Sequence, residues 1–401
     1  MYASVAHLTE QAERLFSMRV PIDSKKQAVW EAYRDRRPTR VPLRWNTNAR
    51  IILLNPELNP EGFTFEQYTF DPKVLMTVQS RWQEYVATTL SRVSDAPSKL
   101  PQEWSFYVDC QNTYDGAYFG TPLDYPAGQC PVNHPCVTAG TVDEFMARDF
   151  SHPLDNPWIR ERLAFHEQLS RAARDFRYRR RKGKVATFSL GFDGPLTVAA
   201  VLMGSEIFAM LGENPRKARA LMEKLVKAGI ARNKALARRN NGNWKKGKWG
   251  GHADDSIQLI STAMYEKLVM PLHEYWYSQT SNTTPASRRR SIHLCGDATR
   301  HFPTIHRKLG VVSFDTGFPV DHGALRKALG PEVEISGGPH VGLLRDGTPE
   351  QCAARTKEIL SSGVKEGGRF ILQEGNNLPP CCPLPNLAAV YETCIEHGRY
   401  D

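Results

Sequence analysis

The regular alternation of strand and helix patterns between Ser291 and Pro383 constrains the fold of this chain more than any other feature. Residues 310–315 and 370–372 have the apolar composition of buried strands. The segments 321–329 and 348–362 between them have helical patterns, the second with Thr348 as a helix N-cap. Strands that alternate with helices form parallel βα units, and a long series of such units closes into a barrel. The sequence therefore predicts the α/β class and a (β/α)₈ TIM barrel.

The same alternation continues upstream of this stretch. Residues 71–94 carry apolar residues at helical spacing, and residues 186–192 have the pattern of a strand, followed by a helix over 196–210. Residues 1 to about 40 are predicted to be mainly helical, with Ser24 as an N-cap. We therefore predict a helical extension over residues 1–100 that packs on a barrel formed by residues 101–401.

Composition restricts the class of protein. With 401 residues and 41% hydrophobic residues, the chain can bury a full core. No stretch is long and apolar enough to span a membrane, and residues 1–10 do not resemble a secretory signal. The eight cysteines do not form a disulfide framework in a chain of this length. These features predict a cytoplasmic protein.

The chain has a net charge of +9, and the positive charge is concentrated in two segments, Arg171–Lys184 and Arg232–Trp249. We interpret both segments as solvated helix ends and a loop. The alternative partners are an acidic protein, an anionic substrate or a nucleic acid, whose bases could stack on Trp244 and Trp249. No nucleic-acid-binding motif accompanies these segments.

His293 and Cys295 are the main candidate metal ligands. They lie two residues apart in a predicted strand, so their side chains point to the same face. An imidazole and a thiol on one face form a soft pair of ligands that suits zinc. The alternative is a polar pair that lines a substrate pocket.

Other polar residues lie at predicted strand ends or in the loops that follow. Asp109, Asp255, Asp315 and His340 are candidates for substrate hydrogen bonding or proton transfer. The pair Asp254-Asp255 could instead cap a helix or a turn.

Several motifs together resemble the uroporphyrinogen decarboxylase superfamily, which includes a branch of corrinoid-dependent methyltransferases. The segments that carry the resemblance are 191–197, 254–261, 293–297 and 375–380, followed by the terminal helix with Gly398-Arg-Tyr400. The order and spacing of these motifs are more specific than any one of them, and they cover the chain from about residue 25 onward. The resemblance implies a TIM barrel with its site at the carboxyl ends of the strands.

The methyltransferase branch implies a zinc site and a corrinoid partner. In that branch a His-X-Cys-Gly strand and a later cysteine bind zinc, and His293 and Cys295 match the strand. Asn376 stands where the branch has its later cysteine, so Cys381 or Cys382 would be the third ligand, with Glu374 or His340 as alternatives. The corrinoid would come from a separate protein, because this chain has no Asp-X-His-X-X-Gly motif.

The predicted substrate-binding residues are Asn112, Phe192, Asp193, His252 and Asn376. We also expect a homodimer, because barrels of this superfamily often form dimers. The function that this resemblance implies is transfer of a methyl group between a small donor or thiol and the corrinoid protein, with zinc assistance.

Two other functions remain as alternatives. The first is decarboxylation of a tetrapyrrole or another polycarboxylate without metal, in which Asp109 would contact pyrrole nitrogens. The Arg-rich signature of true decarboxylases is replaced here only by Arg40, Arg44 and Arg50. The second is a basic, non-enzymatic binding protein, whose binding would depend steeply on salt.

Overall fold

The structure is a computed structural model that describes residues 23–400. The helical prediction for residues 1–22 lies outside this range. The chain divides into two compact units. We call residues 23–60, 81–101 and 316–400 the terminal unit, and residues 61–80 and 102–315 the central unit.

Helices and short strands alternate along the described chain. The α-helices span Asp23–Arg34, Arg50–Leu53, Phe65–Phe70, Pro72–Thr88, Tyr114–Phe119, Val142–Ala147, Pro157–Ala172, Pro195–Met203, Glu206–Glu213, Pro215–Asn241, Thr262–Met264, Met270–Thr280, Phe302–Leu309, His322–Leu329, Val341–Asp346, Pro349–Ser361 and Leu384–His397. The strands are β1 Trp104–Phe106, β2 Leu123–Asp124, β3 Val132–Asn133, β4 Arg177–Tyr178, β5 Arg181–Val185, β6 Gly250–Ala253, β7 Arg290–Leu294, β8 Val311–Thr316, β9 Glu334–Gly337 and β10 Phe370–Leu372.

The central unit contains three groups of strands, of which the short antiparallel pair β2 and β3 is one. β6 pairs with β7 in parallel, with Gly250 opposite Arg290 and Ala253 opposite His293, and β8 follows β7 in the same sheet. β1 pairs with β5 in parallel, and β4 and β5 form an antiparallel hairpin. Because β6 and β7 run in the same direction, the residues that follow them lie at the same edge of the sheet.

The terminal unit contains the parallel pair β9 and β10, in which Ile335 is opposite Phe370. The predicted helix at residues 348–362 is found at Pro349–Ser361, and the Thr348 side chain accepts a hydrogen bond from the backbone N–H of Gln351 at 3.3 Å. Such a cap satisfies one of the amides that an isolated helix start leaves unpaired. The strand predicted at 370–372 is found at those residues.

Two predicted elements of the central unit are wrong. Residues 186–192 are not a strand, since β5 ends at Val185, where it still pairs with Phe106 of β1. The strand lies instead in the basic segment, because Gly183 leaves room for the Phe106 ring, which a Cβ at this position would approach within 2.1 Å. The helix predicted over 196–210 is broken at Gly204, whose φ of 62° does not continue a right-handed helix.

Residues 23–400 contain no single helix long and apolar enough to cross a membrane. The helices Pro195–Met203 and Glu206–Glu213 reach that length and composition only together, and they are bent by 115°.

Candidate active site

A carboxylate, an imidazole and a thiol meet at the carboxyl ends of β6 and β7 in the central unit. Asp255 follows β6, His293 lies in β7, and Cys295 follows β7. One ligand atom from each of the three side chains lies within 4.8 Å of the other two. The structure therefore brings together the His293 and Cys295 side chains, as their spacing predicts, and adds Asp255 to them.

Hydrogen bonds orient the His293 ring from both sides. Its Nδ1 lies 2.8 Å from Oδ2 of Asp315, and its Nε2 lies 2.7 Å from Sγ of Cys295. The backbone N–H of Cys295 donates to Oδ1 of Asp255 over 2.7 Å, which links the two strand ends. The side chains of His293 and Asp315 are 33% and 35% exposed, so the cluster is open to a ligand from solvent.

The protonation of the cluster follows from these contacts. Burial favours the neutral ring of His293, but the hydrogen bonds to Asp315 and Cys295 outweigh it and raise the pKa of His293 to about 11. Burial raises the pKa of the Cys295 thiol, and the neighbouring His293 opposes that rise.

This set of donors fits zinc. Zinc takes thiolate sulfur, imidazole nitrogen and carboxylate oxygen ligands with bonds of roughly 2.0–2.3 Å, which three donors within 4.8 Å of one another can provide. The bond from Nδ1 of His293 to Asp315 leaves Nε2 on the side of Cys295. A carboxylate behind the imidazole is the usual arrangement for a metal-binding histidine, because it fixes the ring and the tautomer.

Asp254 and Asp255 have different roles although they are adjacent. The Asp254 side chain is fully buried and accepts hydrogen bonds from the backbone N–H groups of Leu196 and Thr197, at the start of the helix Pro195–Met203. Its Oδ2 also lies 2.9 Å from Nε2 of His273. Asp254 is therefore the helix cap that the sequence allowed, and Asp255 is the residue that reaches the cluster.

Asp193 lies in a network of charged and polar groups in the same unit. It accepts a hydrogen bond from the Tyr114 hydroxyl, and its backbone N–H donates to Oδ2 of Asp115 at 2.8 Å. Asp115 pairs with the fully buried Arg232 at 2.8 Å, and Arg232 also donates to the Gly191 carbonyl at 2.6 Å. Burial, together with the charge of Asp115, raises the pKa of Asp193 to about 7. This network holds the loop that carries Asp193.

Sequence reasoning missed Tyr114, Asp115 and Arg232. The interpretation of Arg232 as part of a solvated basic segment is wrong because its side chain is buried. A signal was available, since Arg232 lies three residues after Gly229 and four before Leu236 on the buried face of the helix Pro215–Asn241. A lone charge on an apolar helix face requires a buried partner.

Asp109 is held in a second polar group of the central unit. Its Oδ2 accepts from the Tyr68 hydroxyl at 2.9 Å and from Nε2 of Gln111 at 2.8 Å. The backbone N–H of Gln111 donates to Oδ1 at 2.9 Å. Asn112, a predicted substrate-binding residue, is exposed beside this group. The catalytic role predicted for Asp109 stays a prediction.

Phe192 and His252 are buried in the central unit. Each stacks on the Trp276 ring, with centroids 5.1 Å and 5.4 Å away, respectively. Burial, followed by the neighbouring His273, lowers the pKa of His252 well below its usual value. These contacts are those of core residues, and the predicted contact of Phe192 and His252 with substrate stays a prediction.

The remaining predicted site residues belong to the terminal unit. Sγ of Cys381 lies 3.5 Å from the Leu54 carbonyl, and Sγ of Cys382 lies 3.1 Å from the Leu344 carbonyl. Asn376 is partly buried in the same segment. The role of Cys381 or Cys382 as a third metal ligand and the substrate contact of Asn376 stay predictions.

Two alternative ligands of the terminal unit have structural contacts of their own. Nδ1 of His340 accepts from the backbone N–H of Gly342 at 2.9 Å, so this ring caps the helix Val341–Asp346. Glu374 is fully buried, and its oxygens accept from the backbone N–H of Asn46 at 3.1 and 3.2 Å.

Residues 116–397 match the uroporphyrinogen decarboxylase (URO-D) family, and the chain belongs to this family. It is 30% identical over 218 residues to a methylated-thiol–coenzyme M methyltransferase of Methanosarcina mazei. The matched region covers 52% of this chain and 53% of that protein. It is also 30% identical over 215 residues to a uroporphyrinogen decarboxylase of an Anaeromyxobacter species. This matched region covers 51% of this chain and 57% of that protein. The chain thus spans little more than half the length of these curated relatives.

Among solved structures, a methyltransferase from Methanosarcina mazei is similar, with a TM-score of 0.59 at 14% sequence identity. The likeness covers 91% of this chain and 96% of that structure. It confirms the predicted α/β fold of the TIM-barrel type.

Proposed function

We propose that this chain is a methyltransferase that transfers a methyl group between a small donor or thiol and a corrinoid protein, with the help of a bound zinc ion. The observation that carries the proposal is the group formed by Asp255, His293 and Cys295, whose ligand atoms lie within 4.8 Å of one another. The name of the methylated-thiol–coenzyme M methyltransferase supports the thiol as the class of substrate.

Each residue of the cluster has a distinct role in this proposal. His293, Cys295 and Asp255 would hold the metal, and Asp315 would orient His293. A bound zinc ion supplies Lewis acidity, which lowers the pKa of a coordinated thiol or polarises a methyl donor. Three protein ligands leave a position for the substrate, as in other catalytic zinc sites.

Transfer to a thiol requires the removal of one proton. The methyl group moves without its bonding electrons, which stay on the donor, and the new carbon–sulfur bond uses a lone pair of the thiolate. The thiol proton would therefore leave before or during transfer, and the partly exposed cluster would release it to solvent water. Asp193, which the Tyr114 hydroxyl contacts, is one of the carboxylates of the central unit that we assign to hydrogen bonding of the substrate.

Metal content and turnover test this proposal together. We expect about one zinc ion per chain in the purified protein and its loss in Cys295→Ala. With methylcobalamin in place of the partner protein and a small thiol as acceptor, methyl transfer should require both the zinc and Cys295. Cys136→Ala, which removes an exposed thiol of the same unit, is the matched control. Absence of metal from the wild-type protein after zinc is added back would refute the zinc mechanism.

Metal-free decarboxylation is the second candidate, because one relative carries the name uroporphyrinogen decarboxylase. In this case Asp109, held by Tyr68 and Gln111, would contact the substrate. Release of carbon dioxide from uroporphyrinogen that is abolished in Asp109→Asn and unchanged in Cys295→Ala would favour this function over methyl transfer.

A further inference from the structure

The segments that lead into β6 and β7 form a strongly basic edge of the central unit. We call Lys245, Lys246, Lys248, Arg288 and Arg289, with Trp249 among them, the basic edge. All six are exposed or nearly so at the amino ends of the two strands. The backbone N–H of Gly250 donates to the Arg289 carbonyl at 2.9 Å. Because Gly250 lies opposite Arg290, Trp249 and Arg289 are neighbours at the same level.

The backbone of this edge is held in place. The backbone N–H of Gly247 donates to the Thr280 carbonyl at 2.9 Å, and the Gly247 carbonyl accepts from Asn282 at 2.8 Å. Nζ of Lys246 donates to the Ser278 carbonyl at 2.6 Å. These bonds tie the segment before β6 to the end of the helix Met270–Thr280 and to the residues that follow it.

Carboxylates are absent from the sequence around this edge. No Asp or Glu occurs in residues 224–253 or in residues 275–296. Lys234 and Arg238, on the preceding helix, extend the positive charge. Burial and then the charges of Lys246 and Arg238 lower the pKa of Lys234. An anionic partner would relieve their repulsion.

Trp249 is the second distinctive feature of the edge. Its side chain is 58% exposed, among the highest values for large hydrophobic residues of the described chain. An exposed tryptophan that follows Lys248 and lies level with Arg289 suits the boundary between water and lipid, where an indole ring lies among the headgroups.

The basic edge lies at the other end of the strands from the metal cluster. β7 runs from Arg290 to Leu294, so about 15 Å of strand separate the edge from the end at which Cys295 lies. A partner bound at the edge would therefore leave the cluster accessible to substrate.

We propose that the basic edge binds the surface of a membrane that contains anionic phospholipids, with Trp249 at the level of the headgroups. The cations come from two loops at the same end of adjacent parallel strands, an arrangement that fits a flat surface. A single-stranded nucleic acid needs several aromatic platforms along a groove. The edge offers one, because the Trp244 ring is only partly exposed.

Vesicle sedimentation of the full chain tests this proposal. We expect binding to vesicles of phosphatidylcholine with phosphatidylglycerol, no binding to phosphatidylcholine alone, and weaker binding as sodium chloride increases. The triple variant Lys245→Glu, Lys246→Glu, Lys248→Glu should bind on the order of 100-fold more weakly, from about a fivefold loss for each cation. The variant Lys25→Glu, Lys327→Glu, Lys357→Glu has the same net charge, alters exposed lysines of the terminal unit, and should bind like the wild type.

Trp249 supplies an independent readout. Anionic vesicles should shift the tryptophan emission of the wild type to shorter wavelength, and Trp249→Phe should lose most of that shift while it keeps its thermal unfolding temperature. Three results would overturn the proposal: no binding to anionic vesicles at low salt, equal losses in the two triple variants, or binding to a single-stranded oligonucleotide in preference to the vesicles.

Discussion

Two regions of this molecule carry candidate metal ligands, and they differ in what surrounds the thiols. In the central unit, Sγ of Cys295 faces Nε2 of His293, and Asp255 completes a group of three donors. In the terminal unit, Cys381 and Cys382 each face a backbone carbonyl. Burial raises the pKa of both of these thiols. The difference teaches that a metal site depends on which side chains converge in space, and adjacency in the sequence does not ensure it.

Removal of Asp255 should have the largest effect on this comparison. Asp255→Ala takes away one of the three donors and the acceptor of the Cys295 N–H bond. We expect zinc affinity to fall by at least about 100-fold, since loss of a ligand costs more than loss of a residue that supports one. Competition with a chelator measures this affinity. Asp297→Ala, in an exposed carboxylate nearby, is the control, and equal affinities in the two variants would show that Asp255 is not a ligand.

Asp315→Asn should have the next largest effect. The amide keeps the size of the side chain but removes the negative charge behind Nδ1 of His293. Residues that orient a metal-binding histidine typically contribute about 10- to 100-fold in affinity. We expect a loss in that range, together with a changed visible spectrum of the cobalt-substituted protein. An unchanged spectrum and affinity would contradict the role assigned to Asp315.

The stability that buried His322 of the terminal unit contributes should depend on pH. His322 is buried, and burial lowers its pKa from 6.5 to about 4. The unfolded chain therefore takes up this proton first, so the stability that His322 contributes is complete above pH 6.5 and is lost as the pH falls towards 4. This loss amounts to about 3 kcal/mol at most.

His322→Leu removes that dependence. The free energy of unfolding, measured by urea denaturation between neutral and mildly acidic pH, should fall less steeply in the variant than in the wild type. Parallel pH profiles for the two proteins would show that His322 does not titrate in this way.

The smallest effect is expected from the cysteines of the terminal unit. If Asp255 is the third ligand, the double variant Cys381→Ala, Cys382→Ala should keep its zinc and its methyl transfer. Loss of zinc from this variant, measured as metal per chain, would instead support the sequence prediction that one of these cysteines is the third ligand. That result would remove the distinction between the two regions.

The sequence was informative where a local rule decides the structure. The helix at Pro349–Ser361 was predicted because Thr348 caps it, and β10 was predicted because Phe370–Leu372 is apolar and short. The prediction at residues 186–192 was wrong because the true strand, β5, has the sequence Arg-Lys-Gly-Lys-Val, which lacks the apolar pattern of a buried strand. Its pairing with β1 depends on the fit of Gly183 to Phe106, a contact between distant residues that no local pattern contains.

By itself, the sequence determined the α/β class, the family and the pair His293-Cys295, because strand periodicity and motif spacing are local properties. Only the tertiary structure decided that Asp255 joins this pair while its neighbour Asp254 caps a helix. It also decided that Arg232 of a basic segment is buried against Asp115. These outcomes depend on long-range packing, in which desolvation makes each buried charge require a partner that lies far away in the chain.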